Sequence, residues 1–322
     1  MSGTATKTTN AERISTMGIG AALIAMVAWS ASGVITKGID MDGLAVVLYR
    51  MWLYTAVMVV VLAAQRNRLT WAKIRASLLG GIALGLDVAL FFSAVKETTI
   101  ANATVIGALQ PILMLAFGRR LFGESEAASR RDVVLSFVAI VGVGVVMYGS
   151  TGLPDWKPRG DILALCGLLA WTCYFVFSKR TQERLSPIEY SAATALIAAV
   201  VNTPIALSSG QDLSWPDAGN WVWLVLLAIG PGLVGHVFMN WSLTRIPVWL
   251  GATLALFIPV TSTLLAWLFI DEDVIAVQFV GMAIVLAALA GVVLRPKGAA
   301  AHVAEDAGAA DERSRATEAA QA

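Results

Sequence analysis

The sequence contains few charged residues, cysteines and histidines. Of its 322 residues only 14% are charged, and there are two cysteines and two histidines. Cys166 and Cys173 are seven residues apart on one face of a predicted helix, so they cannot form a disulfide with each other. The two histidines, His236 and His302, exclude a metal site built on several histidines. The chain also lacks a Walker loop and the Gly-x-Ser-x-Gly, His-Glu-x-x-His and Cys-x-x-Cys patterns. These absences argue against nucleotide hydrolysis, and nothing in the sequence calls for a cofactor, a metal or a catalytic residue.

Apolar residues dominate the chain instead. They make up 57% of it and give a mean hydropathy of +0.73, which lies outside the range of ordinary soluble domains. A helix of about 20 apolar residues spans the hydrocarbon core of a bilayer, which is about 30 Å thick. Ten runs approach or reach that length: Met17 to Thr36, Leu44 to Ala64, Ala76 to Val95, Thr98 to Gly118, Val133 to Tyr148, Ile162 to Ser178, Ile188 to Leu207, Trp221 to Leu243, Val248 to Ile270 and Val274 to Leu294. The sequence therefore predicts an all-α integral membrane protein with ten transmembrane helices.

Two pairs of residues occur twice, in the same order and at the same spacing. They are Trp29 with Lys37, repeated as Trp171 with Lys179, and Pro111 with Glu124, repeated as Pro259 with Glu272. Offsets of 142 and 148 residues indicate a tandem duplication of residues 16–149 as residues 160–295, joined by a linker at 150–159. Each copy has five spans, and five is odd. The second copy therefore enters the membrane from the opposite side, which makes the two copies inverted repeats.

The distribution of lysine and arginine predicts the orientation. If the N-terminus is cytoplasmic, 16 Lys and Arg residues fall on the cytoplasmic side of the membrane and 4 on the other side. Both termini are thus expected in the cytoplasm and the linker outside it. Residues 1–15 and 296–322 are predicted to be disordered cytoplasmic tails. A net charge of +1, with no basic stripe, gives no reason to expect a nucleic-acid partner.

These patterns resemble the drug/metabolite transporter superfamily, and specifically its ten-helix EamA-type exporters. The resemblance is carried by the tryptophan of the first span, the proline-to-glutamate spacing of the fourth, and Tyr49-Arg50-Met51-Trp52 in the second, and it covers residues 16–295. One departure is the charged stretch Ser125 to Asp132, which is longer than the link after Glu272. The resemblance implies a secondary active transporter in the cell membrane, exporting amino acids or related small metabolites or drugs. Inverted repeats fit alternating access around a site at the membrane midplane.

Arg50 and Asp87 are the leading candidates for substrate binding or coupling. A charge inside a span costs roughly 2.5–3.5 kcal/mol on insertion scales, so it is normally paired or faces a cavity. The two residues lie at similar predicted depths in the second and third spans, which predicts an ion pair. This pair could bind a substrate carboxylate or couple a proton to transport. Alternatively, it is a permanently closed structural pair.

Other polar and aromatic residues within the spans are weaker candidates. His236 could relay protons, or it could simply bond a neighbouring carbonyl. Matching prolines, Pro111 and Pro259, point to helix hinges at a central site, with simple kinks as the alternative. The remaining candidates for contact with a substrate are Asn102, Gln110, Trp29 and Trp171, of which the tryptophans could equally be packing residues.

Three other functions stay open on the sequence alone. They are exchange of nucleotide sugars or other metabolites, which needs strong anion binding; a membrane-embedded enzyme, for which no nucleophile-and-base pair is found; and a non-transporting scaffold. The expected partners are a small-molecule substrate, the lipid bilayer and, as a candidate coupling ion, a proton. The sequence does not decide between a monomer and a homodimer.

Overall fold

A computed structural model describes residues 15–151 and 157–294 of the chain. Most of these residues are helical, and no strand occurs among them. The predicted tail 296–322, residues 1–14 of the predicted N-terminal segment and residues 152–156 of the predicted linker lie outside the described residues.

Within the described residues, ten helices follow one another along the chain. They are α1 (Thr16–Lys37), α2 (Gly43–Ala64), α3 (Leu78–Glu97), α4 (Ile100–Gly107 and Gln110–Phe122), α5 (Arg130–Thr151), α6 (Pro158–Thr181), α7 (Pro187–Leu207), α8 (Ala218–Leu227, Ala228–Gly235 and His236–Leu243), α9 (Val248–Leu254 and Phe257–Ile270) and α10 (Ala276–Val293). A short helix, Trp71–Ala76, precedes α3. Within the described residues, nine helical stretches are long and apolar enough to cross a membrane, and Leu78–Ala94 in α3 is a shorter apolar helix. The predicted all-α membrane fold is confirmed.

Side chains at the starts of several helices fix where those helices begin. Ser15 accepts a hydrogen bond from the backbone of Gly18 at the start of α1, and Ser186 with Glu189 forms a capping box at the start of α7. Asp217 caps α8 by accepting a hydrogen bond from the backbone N–H of Asn220. Caps matter here because the first four N–H groups of any helix have no partner within it.

The helices of the two repeats pack against each other in matched pairs. Helix α1 packs against α8 as α6 packs against α3, while α2 meets α7 and α5 meets α10. Exchanging the first repeat for the second interchanges the α1–α8 and α6–α3 contacts and converts the α2–α7 and α5–α10 contacts into themselves. The bundle therefore has the approximate two-fold relation expected of inverted repeats.

Two glycines at equivalent positions of the repeats show the same relation in detail. A Cβ added to Gly18, at the start of α1, would lie 2.8 Å from Ile246 in the α8–α9 connection. A Cβ added to Gly160, at the start of α6, would lie 2.6 Å from Thr98 in the α3–α4 connection. The glycines are 142 residues apart and their partners 148, the offsets that the sequence repeat predicts.

We name the two ends of the bundle by α1. The N-terminal face is the end at which α1 begins, and the opposite face is the end at which α1 finishes. Tyr190 at the start of α7 and Trp249 at the start of α9 are fully buried close to the N-terminal face. In contrast, none of residues 31–37, which form the last two turns of α1, is buried. The end of α1 is thus loosely packed at the opposite face, although Val46 and Val47 at the start of α2 are buried there.

Candidate functional site

An aromatic cluster lies where the two repeats meet. Trp29 of α1 and Trp171 of α6, which occupy matched positions in the two repeats, contact each other edge to face with ring centroids 5.1 Å apart. The His236 ring of α8 lies 5.4 Å from Trp29 and 6.3 Å from Trp171. The structure therefore brings three of the predicted site residues together from three helices.

Two tyrosines complete this cluster. The Tyr54 ring of α2 stacks on His236 at 5.6 Å, and Tyr174 of α6 stacks on Trp171 at 5.3 Å. The Tyr174 hydroxyl also lies 3.4 Å from Nδ1 of His236. His236 is therefore held by a tyrosine hydroxyl and aromatic rings, rather than by the neighbouring carbonyl of the simpler interpretation.

A buried hydrogen-bond network centred on Asn240 supports the cluster on the side of the N-terminal face. The Asn240 amide nitrogen donates to Ser191 Oγ of α7 at 2.9 Å, and its oxygen accepts from Ser178 Oγ of α6 at 2.8 Å. The amide also contacts the hydroxyl of Tyr174. Because Asn240, Ser178 and Ser191 are each 0% exposed, their polar atoms depend on one another, which fixes the positions of α6, α7 and α8.

An irregular segment of α8 positions Trp29. Residues Ala228–Gly235 form a π-helical stretch that contains Pro231, and the carbonyl of Pro231 accepts a hydrogen bond from Trp29 Nε1 at 3.1 Å. A Cβ added to Gly235 would lie only 2.3 Å from that indole nitrogen, so the close approach of α1 to α8 requires glycine here. Such π-helical stretches are frequent at functional sites.

Arg50 and Asp87 lie on α2 and α3, and both are half-buried. The described residues contain no ion pair or side-chain hydrogen bond to either of them, so the predicted direct pair is not formed in this structure. Arg50 lies one helical turn before Tyr54 on α2, and the Asp87 carbonyl oxygen lies 4.0 Å from a Cβ built on Gly167, one turn before Trp171 on α6. The result is a cation and an anion on neighbouring helices, each without a bonded partner among the described side chains and each close to residues of the aromatic cluster.

The other predicted site residues lie at the helix breaks or away from the cluster. Helix α4 is interrupted at residues 108–109 and α9 at residues 255–256, just before Pro111 and Pro259. Gln110 is buried at the break of α4. Asn102 donates from its side-chain amide to Asp161 Oδ1 of α6 at 2.9 Å. Because Asp161 also accepts from Thr98, this contact ties the α3–α4 connection to the start of α6 and does not contribute to the aromatic cluster.

The fold defines a multi-pass membrane protein, and comparison with known proteins gives its family. The model of the EamA-like transporter family matches the chain twice, at residues 16–148 and 158–294. The chain belongs to this family, which is part of the drug/metabolite transporter superfamily, and it is not an enzyme.

Several characterised and uncharacterised relatives are similar to the chain at low identity. An aromatic amino acid exporter, YddG, from Ancylobacter novellus is 29% identical over 181 residues, which cover 54% of this chain and 60% of that exporter. A probable amino-acid metabolite efflux pump from Salmonella typhimurium is 25% identical, with 67% of this chain and 76% of the pump covered. A solved crystal structure aligns with a TM-score of 0.74 at 23% identity, covering 86% of this chain and 96% of the other. That structural likeness supports the fold alone.

Proposed function

We propose that this protein is a secondary active exporter of amino acids that works by alternating access. The observation that carries the proposal is the placement of Arg50 and Asp87, two half-buried opposite charges that bond no described side chain and lie close to an aromatic cluster. An amino acid carries the complementary pair of charges on its carboxylate and ammonium groups. Arginine suits a carboxylate because its planar guanidinium donates two parallel hydrogen bonds.

The surroundings of these charges favour an amphipathic substrate. Trp29 and Trp171 are half-buried, whereas Tyr54 and Tyr174 behind them are buried. The tryptophans therefore keep part of their apolar surface accessible, and an aliphatic or aromatic side chain could pack against it. The two relatives named for amino-acid export support the same substrate class.

Alternating access follows from the inverted repeats. In such carriers the site stays near the midplane while one repeat moves against the other. The helix breaks beside Pro111 and Pro259 are suitable hinges for this movement. The candidate groups for carrying a coupling proton are His236 and Asp87. We place both termini in the cytoplasm, because lysine and arginine are concentrated on that side.

Counterflow in proteoliposomes tests the proposal. Vesicles loaded with one unlabelled amino acid at millimolar concentration should accumulate the same labelled amino acid, and aromatic or large aliphatic amino acids should give the strongest signal. Nucleotide sugars should neither drive counterflow nor compete with it. Accumulation driven by a nucleotide sugar, with none driven by any amino acid, would replace the proposal with exchange of nucleotide sugars.

A further inference from the structure

Each face of the bundle carries one lysine–glutamate pair that joins the first helix of a repeat to the end of a broken helix. At the opposite face Lys37, at the end of α1, pairs with Glu272, just after α9. At the N-terminal face Lys179, at the end of α6, pairs with Glu126, just after α4. Lys37 and Lys179 are equivalent residues of the two repeats. The pairs are thus related by the same inversion that relates the repeats.

The two pairs differ strongly in burial. The side chains of Lys37 and Glu272 are 56% and 54% exposed, whereas those of Lys179 and Glu126 are 23% and 0% exposed. An exposed ion pair contributes little to stability, but removal of one partner from a buried pair is strongly destabilising because the other charge loses its partner. Of the two, only the pair at the N-terminal face can hold helices together strongly.

Further hydrogen bonds extend the buried pair to a third element. Glu126 accepts from the backbone N–H of Val248 at 2.7 Å, and Lys179 donates to the carbonyl of Ile246 at 3.1 Å. Ile246 lies in the connection between α8 and α9, and Val248 is the first residue of α9. The end of α4, the end of α6 and the start of α9 are therefore joined at one point, and they come from both repeats.

The pair lies between a solvent cavity and the closely packed core. A cavity of about 590 Å³ at the N-terminal face is lined by Ala76, Leu121, Phe122, Arg180, Thr181, Glu183 and Arg184. The Phe122 ring also contacts the Lys179 ammonium at 5.8 Å. On the other side of the pair, Trp249 and Leu250 are buried almost completely. The cavity therefore borders the pair through Phe122 and Arg180, while the Glu126 carboxylate itself is shielded from solvent.

We propose that Lys179 and Glu126 form a latch that closes the transport pathway at the N-terminal face, and that Lys37 and Glu272 form the equivalent latch of the opposite state. This inference rests on the proposed alternating-access function. In the structure the first latch is engaged and desolvated. In the opposite state it would be solvated and open, and the contact between Lys37 and Glu272 would be the buried one.

The latch predicts that neutralising either member opens the N-terminal face. The measurement is the rate at which a membrane-impermeant thiol reagent, added at that face, modifies a cysteine placed behind the latch. The background replaces both native cysteines, Cys166 and Cys173, by serine, and the reporter is Met114→Cys, since Met114 is 1% exposed and lies on α4. Glu126→Gln and Lys179→Met should each raise the rate about tenfold, because the remaining partner loses its charge pair in a mostly buried position.

Glu124→Gln is the matched control. Glu124 is two residues away at the same face and pairs with Arg119, but both side chains are largely exposed, at 74% and 65%. This variant should leave the labelling rate unchanged. A second reporter, Val285→Cys, lies in the α5–α10 contact away from the latch, where Val285 is fully buried. It should stay protected in every variant, since labelling there would report general unfolding.

Equal labelling of Met114→Cys in the Glu126→Gln and Glu124→Gln variants would overturn the latch. The same holds if Lys179→Met leaves the rate unchanged while Val285→Cys stays protected. The assay needs no substrate, so it gives its answer even if counterflow shows that the protein does not carry amino acids. Failure of the latch and failure of the proposed substrate class are therefore separate results.

Discussion

Arg50→Ala is expected to lower amino-acid transport about 100-fold while the protein still inserts and purifies as a folded species. The guanidinium has no ion-pair partner among the described residues, so its loss leaves no orphaned carboxylate that would destabilise the fold. Loss of one partner from a desolvated charge pair costs roughly 2–5 kcal/mol, and about 2.7 kcal/mol corresponds to 100-fold in affinity. The measurement is initial counterflow rate in proteoliposomes at equal protein content.

Substrate analogues separate a binding role of Arg50 from a structural one. An amine that lacks the carboxylate should be carried equally poorly by the wild type and by Arg50→Ala, because the missing contact is the same in both. Asp87→Asn should show the converse, with no added loss for an analogue that lacks the ammonium group. Arg68→Ala, which removes an exposed arginine just after α2, is the control and should transport normally. Normal flux through Arg50→Ala would refute the assigned role.

Gly281→Leu is expected to destabilise the fold, because α5 and α10 cross too closely there to admit a side chain. A Cβ on Gly281 would lie 2.6 Å from the backbone nitrogen of Val146 and 2.9 Å from the carbonyl oxygen of Gly142. Backbone atoms cannot move aside as the end of a side chain can. Overpacking of this kind costs roughly 1–3 kcal/mol, which corresponds to a fall in Tm of about 3–10 °C.

Gly144→Leu provides the matched comparison for this contact. Gly144 lies on α5 between Gly142 and Val146, two residues from each and so on the opposite side of the helix, and a Cβ there would meet nothing within 4 Å. Thermal unfolding of the purified variants, followed by the loss of the monodisperse peak on size exclusion, should therefore show little change for Gly144→Leu. Equal losses in the two variants would contradict the close packing of α5 on α10.

The fold could be predicted from sequence because lipid imposes strong rules. A span must be long, apolar and helical, so ten apolar runs predict ten helices, and their ends agree with the structure to within a few residues. The inverted relation was also accessible, since Trp29 and Trp171 mark equivalent helices and each repeat has an odd number of spans. Helix breaks were signalled by Pro111 and Pro259. The π-helical stretch of α8 contains the Gly230-Pro231-Gly232 triplet, a helix-breaking combination that is visible in the sequence.

The site was less predictable because sequence spacing does not say which helix faces meet. Tyr54 and Asn240 reach the aromatic cluster through contacts between helices, and neither stands out in a sequence of apolar spans. The sequence predicts Arg50 and Asp87 at similar depths on the second and third spans, but matched depth does not guarantee contact, and the two side chains do not pair directly in the structure.

The sequence also does not identify which glutamate pairs with Lys179 at the N-terminal face. The repeat pattern points to Glu124 as the equivalent of Glu272, yet a turn at Glu124–Glu126 brings Glu126 to Lys179 instead. That turn lies at the start of the charged stretch by which the sequence departs from its second repeat. The partner of Lys179 is therefore Glu126, two residues after the position that the repeat pattern predicts.

Cysteine accessibility at the two exposed glutamates tests the inverted arrangement most directly. In the cysteine-free background, Glu272→Cys should react in intact cells with a membrane-impermeant thiol reagent, and Glu124→Cys should react only after the cells are permeabilised. Both native side chains are exposed, at 54% and 74%, so neither position is shielded by packing. Reaction of both cysteines from the same side of the membrane would contradict the inverted repeats and the alternating-access function built on them.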